Sequence, residues 1–274
     1  MRVGMIDFVN GAVPDANFLV PGVQKVYAHP GILNEMLRQN QLDFAAVSAF
    51  EALENQKDYL ICPKVCIAAH QRVESVFLFT HSDFLSLHKA PVFLSGASKT
   101  SVTLTKIILE RFLKISPCFM QQAPNQAFLE DWESIRKNYA GAVFIGDWAQ
   151  KAVHELGMKA HDLAELWYSH TGLSFVFALW AIRRDYFVKN SEFSRLVAKN
   201  LIQSVDRGLI MLPDLYKRKK WHLSEPQFIR FLSEVMRYRL QDSELLGLKR
   251  FCEELFQHGL LADPNLPEFF SLNA

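Results

Sequence analysis

The stretch Thr171-Gly-Leu-Ser-Phe-Val-Phe-Ala-Leu-Trp-Ala-Ile-Arg183 decides how this chain is read. Its apolar run, 173–182, is far shorter than the about 20 residues that cross a bilayer. Phe175, Phe177 and Trp180 lie along an extended segment, so core packing is their default role, and the run reads as one buried strand. Working outward, further short apolar runs recur at 3–9 (VGMIDFV), 43–47 (DFAAV), 75–80 (SVFLFT), 91–94 (PVFL) and 142–145 (AVFI). They alternate with amphipathic stretches such as 32–40, where Ile32, Leu33, Met36 and Leu37 share one helical face. That alternation predicts βα units and an α/β fold with mainly parallel sheets. Within the polar stretch 81–89, residues 81–85 read as the point where the chain leaves a first lobe, and 175–182 as the strand that returns to it. The expected lobes are 1–82 with 178–274, and 83–177. Such a discontinuous layout predicts a ligand cleft between lobes, faced by strand-end loops and helix starts. Helices are expected over 191–210, from Ser224-Glu-Pro-Gln227 through 228–240, and over 243–261.

Composition supports a large core and excludes several classes. Of 274 residues, 50% are hydrophobic and 22 are Phe, enough to fill two apolar layers. A formal net charge of +1 gives no support for a nucleic-acid or polybasic membrane partner. Asp7 and Asn10 interrupt the N-terminal apolar run, so no secretory signal is read and a cytoplasmic protein is expected. Cys62, Cys66, Cys118 and Cys252 are too dispersed for a disulfide scaffold. Cys62, Cys66 and His70 lack the CxxC spacing of a metal site and read as buried thiols beside a distant histidine. No GxGxxG or HExxH motif is present, so no cofactor and no metal are expected. Nothing in the sequence speaks to oligomeric state.

Several polar residues fall where strands end. Ser95-Gly-Ala-Ser-Lys-Thr-Ser101 runs into an apolar helix, a pattern that suits an anion site. Ser98, Thr100 and Ser101 either meet a substrate there or merely cap the helix, a role worth about 1 kcal/mol. Ser48 and Glu51 form a Ser-x-x-Glu capping box, with substrate contact as the competing reading for Ser48. Asp147 follows AVFI-Gly146 and reads as a helix cap. Asn10 stands in an expected loop over 10–15. The basic run 217–220 reads as a solvated loop.

Five segments, taken in order, resemble one family: IDFVN (6–10), AAVSAFE (45–51), VESVFLF (73–79), SKTSVTL (98–104) with AVFIGD (142–147), and TGLSFVFALWAIR (171–183). Together they are similar to the chorismate dehydratases of the futalosine route to menaquinone, across most of 3–183. The TGLxFVFALWA run is the most specific of them. The resemblance implies a type II periplasmic-binding-protein-like fold, with two lobes and mixed sheets flanked by helices. It implies a hydro-lyase acting on chorismate without a cofactor, with Asn10 catalytic. Ser48, Ser75, Ser98, Thr100, Ser101, Asp147, Thr171 and Gly172 are the substrate-binding positions it implies. The chain departs from the family's pattern at Gly11-Ala-Val-Pro14, where Leu-Asn-Thr and a Pro-Leu pair are common. It departs again at Ala49, often Ser, and at Ser174, usually Pro. Two alternatives stand beside this reading. One is 1,4-dihydroxy-6-naphthoate synthase, which typically has His where this chain has Gly146-Asp147; the other is a non-catalytic solute-binding protein.

Dehydrating chorismate requires a base near the proton beside the enolpyruvyl ether. Glu51, Asp147 and His170 are the candidates, and each also has a purely structural reading. The favoured expectation is that the substrate's own enolpyruvyl carboxylate takes the proton.

Overall fold

The computed structural model describes residues 1–122 and 131–273. Among them the strands are β1 (Arg2–Ile6), β2 (Gln24–Ala28), β3 (Phe44–Ser48), β4 (Tyr59–Ala69), β5 (Val76–Thr80), β6 (Pro91–Ser95), β7 (Cys118–Gln122), β8 (Gly141–Ile145), β9 (Lys159–Asp162), β10 (Phe175–Arg183) and β11 (Met236–Arg237). The chain divides into two compact units, Met1–Ala69 with Ser174–Ala274, and His70–Leu173.

The first unit is built on a six-stranded sheet in the order β11-β4-β10-β3-β1-β2. β1 is parallel to β2 and β3, while β10 is antiparallel to both β3 and β4. β10 is therefore central, and residues 175–182 are buried without a break. A strand covered on both faces has no polar side, which is why its sequence does not alternate. β4 is 11 residues long and contains Pro63 and Lys64, the latter at φ 66°. The β10–β4 register shifts twice along this pair, so the bulged ladder absorbs a proline that a regular central strand would exclude.

The second unit carries a five-stranded sheet in the order β7-β6-β8-β5-β9. β6 is parallel to β7 and β8, and β5 is antiparallel to β8 and β9. Phe77, Phe79, Phe93 and Phe144 meet in its core, with Ala149 and Ala152 packing over them. This corrects the expected boundary after residue 82. β5 belongs to the second sheet, and Ser75 just before it lies in the second unit. β5 is buried throughout, so its apolar run marks it as a core strand without saying which sheet holds it.

Two further expectations are corrected in the first unit. Residues 10–15 are not a loop: a 3-10 turn, Val9–Gly11, leads directly into the short helix Ala12–Asp15. Pro14 fits there because the first N–H groups of a helix have no intrahelical acceptor. A Cβ on Gly11 would lie 2.0 Å from the Ile6 carbonyl oxygen, so the turn closes on bare backbone. The long helix Ser191–Ile210 comes equally close, since a Cβ on Gly208 would lie 2.3 Å from Val13 O. Asn17 N donates to Ser204 Oγ at 3.0 Å, and the Arg218 guanidinium donates to Ala16 O at 2.7 Å. The basic run is thus partly structural, because Lys219 also lies 3.8 Å from the Asp7 carboxylate and over the Trp221 ring.

The second correction concerns 228–240. Gln227 accepts from the Ser224 main-chain N–H as the capping pattern requires, but the helix Glu225–Arg230 loosens into a π turn, Phe231–Val235. The chain then becomes β11, with Met236 opposite Ala69 and Arg237 opposite Ala68. Met236, Tyr238 and Leu240 are buried, with Arg237 and Arg239 between them more open. That is a period of two, the pattern of a strand.

Replacing Gly11 by Ala forces the Ile6–Gly11 backbone apart. The expected cost is about 1–3 kcal/mol, the usual range for overpacking, read as a lowered midpoint in urea unfolding.

Candidate functional site

Strand direction sorts the polar residues onto one edge of each sheet. In the first unit β1 and β3 run parallel and finish together at Ile6 and Ser48. Antiparallel β10 begins at that same edge, where Phe175 lies opposite Ala69, the last residue of β4. Asn10 and Ser48 therefore follow the ends of adjacent strands. Asn10 is half-buried, and its side-chain Oδ1 is shielded from solvent with no hydrogen-bond partner among the described residues. Its main-chain carbonyl is held, accepting from the Tyr238 hydroxyl at 3.1 Å. Burial pushes that hydroxyl well above the ordinary tyrosine value, so Tyr238 is a protonated donor.

Ser48 is the N-cap of the helix Ala49–Glu54, but the expected capping box does not form. Asn34 brackets Ser48 instead: the Asn34 Nδ2 donates to Ser48 Oγ and Ser48 N donates to Asn34 Oδ1, each at 3.0 Å. Glu51 is fully buried and turned elsewhere. Its Oε1 lies 3.3 Å from Arg38 Nε and accepts from Asn55 Nδ2 at 3.0 Å and from the Tyr59 hydroxyl at 3.3 Å. Tyr59 opens β4 at the opposite end from Ala69, so Glu51 is tied away from the Asn10 edge.

In the second unit β6 and β8 end in parallel at Ser95 and Ile145. β5 begins at that edge, with Val76 opposite Ile145, and β9 ends there, with Asp162 opposite Phe77. Ser75, Ser95 to Ser101, Asp147 and Asp162 consequently share one edge. Ser98 is the N-cap of the helix Lys99–Lys106, its Oγ accepting from Ser101 N and Ser101 Oγ at 3.4 Å each. Thr100 is fully buried and Ser101 nearly so. Ser75 Oγ donates to Val73 O at 3.2 Å. Ser95, which the sequence marks only as the start of this loop, is 1% exposed, and its hydroxyl has no partner among the described residues.

The remaining expected residues play other parts. Asp147 is not the helix cap; Ile145 takes that place, and Asp147 sits half-buried in the first turn of Gly146–Glu155. A carboxylate there favours the positive end of the helix dipole. Thr171 and Gly172 end the helix Leu163–Thr171. The Thr171 hydroxyl donates to Trp167 O at 2.8 Å, and Gly172 adopts the left-handed conformation at φ 69°. His170 is exposed, bonds Leu166 O through Nδ1 at 2.8 Å and stacks on Phe112. Beside the Asn10 turn lies a cavity of about 460 Å³, lined by Ile6, Asp7, Gly11, Tyr27, Arg218 and Trp221 among others. Asp15 on its rim accepts from Tyr27, whose hydroxyl is pushed up to about 12 by burial and then by that carboxylate. All four cysteines are unbridged. Among the described residues no group of His, Cys, Asp and Glu is placed to hold a metal ion, and no helix is long and apolar enough to cross a membrane.

Comparison with known proteins adds three findings. A family profile described as menaquinone biosynthesis matches residues 1–257. A chorismate dehydratase of Thermus thermophilus is 29% identical over 271 residues, covering 92% of this chain and 94% of that protein. Among solved structures, an Archaeoglobus fulgidus protein has a TM-score of 0.67 at 18% identity, covering 95% of this chain and 98% of that one. The alkanesulfonate-binding protein of Xanthomonas axonopodis pv. citri, bound to MOPS, has a TM-score of 0.65 at 13% identity, covering 97% and 96% of the two chains. A Candida albicans gene product described as having the generic periplasmic binding protein fold has a TM-score of 0.66 at 14% identity over 100% and 98%. The fold is that of the periplasmic binding proteins.

Asp162 is a residue that sequence reasoning missed, although Asp162-Leu-Ala-Glu165 is a capping pattern ahead of an apolar turn. Its buried carboxylate accepts from the main-chain N–H groups of Val73, Glu74, Ala164 and Glu165, at 2.8 to 3.2 Å. Burial raises its pKa and the four donors pull it back. It ties the 73–74 segment, and so Ser75, to the start of a helix. Asp162→Ala strands those donors and is expected to cost about 2–4 kcal/mol, measured by urea unfolding.

Proposed function

The chain belongs to the menaquinone biosynthesis family, and from that membership we propose that it is a hydro-lyase that converts chorismate to 3-(1-carboxyvinyloxy)benzoate. The observation that carries this reading is the chain-long likeness to the Thermus thermophilus chorismate dehydratase. In the reaction the ring proton beside the enolpyruvyl ether is removed and the neighbouring C–O bond breaks. The hydroxyl departs with that proton as water, and the ring becomes aromatic. The gain in aromaticity supplies the driving force, so the protein's tasks are orientation and the choice of this path over competing ones.

Chorismate carries two carboxylates, and what such a ligand asks of a site is donors. Each unit by itself carries such donors in uncharged form on its strand-end edge: Ser75, Ser95, Ser98, Thr100 and Ser101 in one, Asn10 and Ser48 in the other. Hydroxyls and main-chain N–H groups at a helix start bind an anion without a counter-charge. Asn10 both donates and accepts; in this reading it holds the departing hydroxyl or aligns a carboxylate. On these edges the buried oxygens of Asn10 and Ser95, without partners among the described residues, are open to a ligand's donors.

Each of the three candidate bases among the described residues is engaged elsewhere, Asp147 in the first turn of its own helix at the positive end of the dipole. Glu51 is bound to Arg38, Asn55 and Tyr59, and His170 is exposed on a helix end. We therefore assign the base to the substrate's enolpyruvyl carboxylate.

Mixing pure protein with chorismate should give the ultraviolet spectrum of an aromatic product without release of pyruvate. Unchanged chorismate removes the reading, and a product from cyclic dehypoxanthine futalosine would assign the chain to naphthoate formation instead. His170→Asn and Glu51→Gln should retain kcat within about threefold, Glu51→Gln at some loss of stability; an inactive variant that still folds and binds chorismate would identify a protein base.

A further inference from the structure

We propose that Tyr238 is a positioning residue for this reaction, setting the Asn10 side chain through the main-chain carbonyl of Asn10. The inference rests on the reading of Asn10 as a substrate-touching group. Three observations carry it.

The first is that the Asn10 amide oxygen is unsupported. With no hydrogen bond to Oδ1 among the described residues, the anchored part of Asn10 is its main chain, which sets where the side chain begins. The second is that the Tyr238 hydroxyl reaches that backbone directly, at 3.1 Å from Asn10 O, across 228 residues of sequence. The third is that Tyr238 is itself fixed. Cys66 N donates to Tyr238 O at 3.1 Å, in line with the β11–β4 pairing. The next residue, Arg239, donates to Ile202 O at 3.3 Å and pairs with Asp206. Tyr238 is 2% exposed, so phenylalanine would fill the same volume. A hydroxyl at so buried a place is explained by its acceptor. The π turn Phe231–Val235 delivers it there by ending the helix early and turning the chain into the sheet edge, and such turns recur at functional sites.

The test compares the full-length protein with Tyr238→Phe, Asn10→Ala and the double variant, following chorismate turnover, chorismate affinity and melting temperature. Tyr238→Phe should lower kcat about 10- to 100-fold, the scale of a misplaced reacting group, with KM near the parent value and a loss beyond any fall in folded fraction. In the Asn10→Ala background the same change should cost nothing further, since a residue acting through Asn10 has nothing left to position. An unchanged kcat, or a full additive loss on top of Asn10→Ala, overturns the proposal. A second readout does not depend on turnover: the Asn10 side-chain amide signal in nitrogen-15 NMR, assigned by its loss in Asn10→Ala. It should shift or broaden in Tyr238→Phe, and constancy overturns the proposal even if the parent ignores chorismate, an outcome that by itself would sink only the functional reading. Should Tyr238→Phe fail to fold, 3-fluorotyrosine incorporated in its place keeps ring and hydroxyl while strengthening the donor. The same signal should then move, and its constancy would again count against the proposal.

Discussion

The carbonyl oxygen of Ile6 leaves no room for a side chain at residue 11, and the first unit is arranged around that approach. A chain leaving a parallel strand needs several residues to reach the next helix; here it turns within three, Val9 to Gly11, and is helical again by Ala12. The tightness of the turn keeps Asn10 beside the end of its strand instead of on an extended loop. The contacts that follow secure the same segment from outside. Gly208 lets the long helix touch Val13, Ser204 takes the Asn17 N–H, and Arg218 takes Ala16 O. Each uses main-chain atoms on the turn side, so the segment is held by its backbone whatever side chains it presents.

Two of the carboxylates near the strand-end edges are held in hydrogen bonds of their own, while Asp147 stands half-buried on the second edge. Glu51 stands one turn from Ser48, yet its carboxylate is engaged by Arg38, Asn55 and Tyr59. Asp162 lies on the same edge as Ser75, but its oxygens are covered by four main-chain donors. What the edges offer, beside Asp147, is mainly hydroxyls, an amide and helix starts. That is the polarity that suits a doubly negative ring compound, and it would suit a cation poorly.

Much of this was legible from residue order, and the failures have physical causes. The buried strands at 44–48, 76–80, 141–145 and 175–183 were found because runs covered on both faces are apolar throughout. The same uniformity hid which sheet Val76–Thr80 joins, since sheet membership depends on long-range pairing. The 3-10 turn after β1 was missed because a glycine and a proline within four residues read as a loop, while the cause of the turn is a contact with Ile6. Ser98 capped its helix as its pattern implied. Ser48 did not, because Asn34, fourteen residues earlier, competes for its hydroxyl. Tyr238 was masked by the helical signal ahead of it; the alternation Met236, Tyr238, Leu240 was present, but too short to stand out against a capped amphipathic stretch.

The central position of β10 has a consequence for how the molecule is made. β3 and β4 do not pair with each other; each pairs with β10, whose residues are synthesised only after the whole of 70–173. The contiguous second unit can collapse on its own as it emerges. The first unit must wait with one edge of β3 and both edges of β4 open, and open edges are prone to pair with the wrong partner. A nascent chain halted before Phe175 would therefore expose all of these edges at once. The step that completes the first unit is insertion of a late, wholly apolar strand between two that were made more than a hundred residues earlier, a demand that ties its yield to the speed of synthesis and to the chaperones that shield such edges.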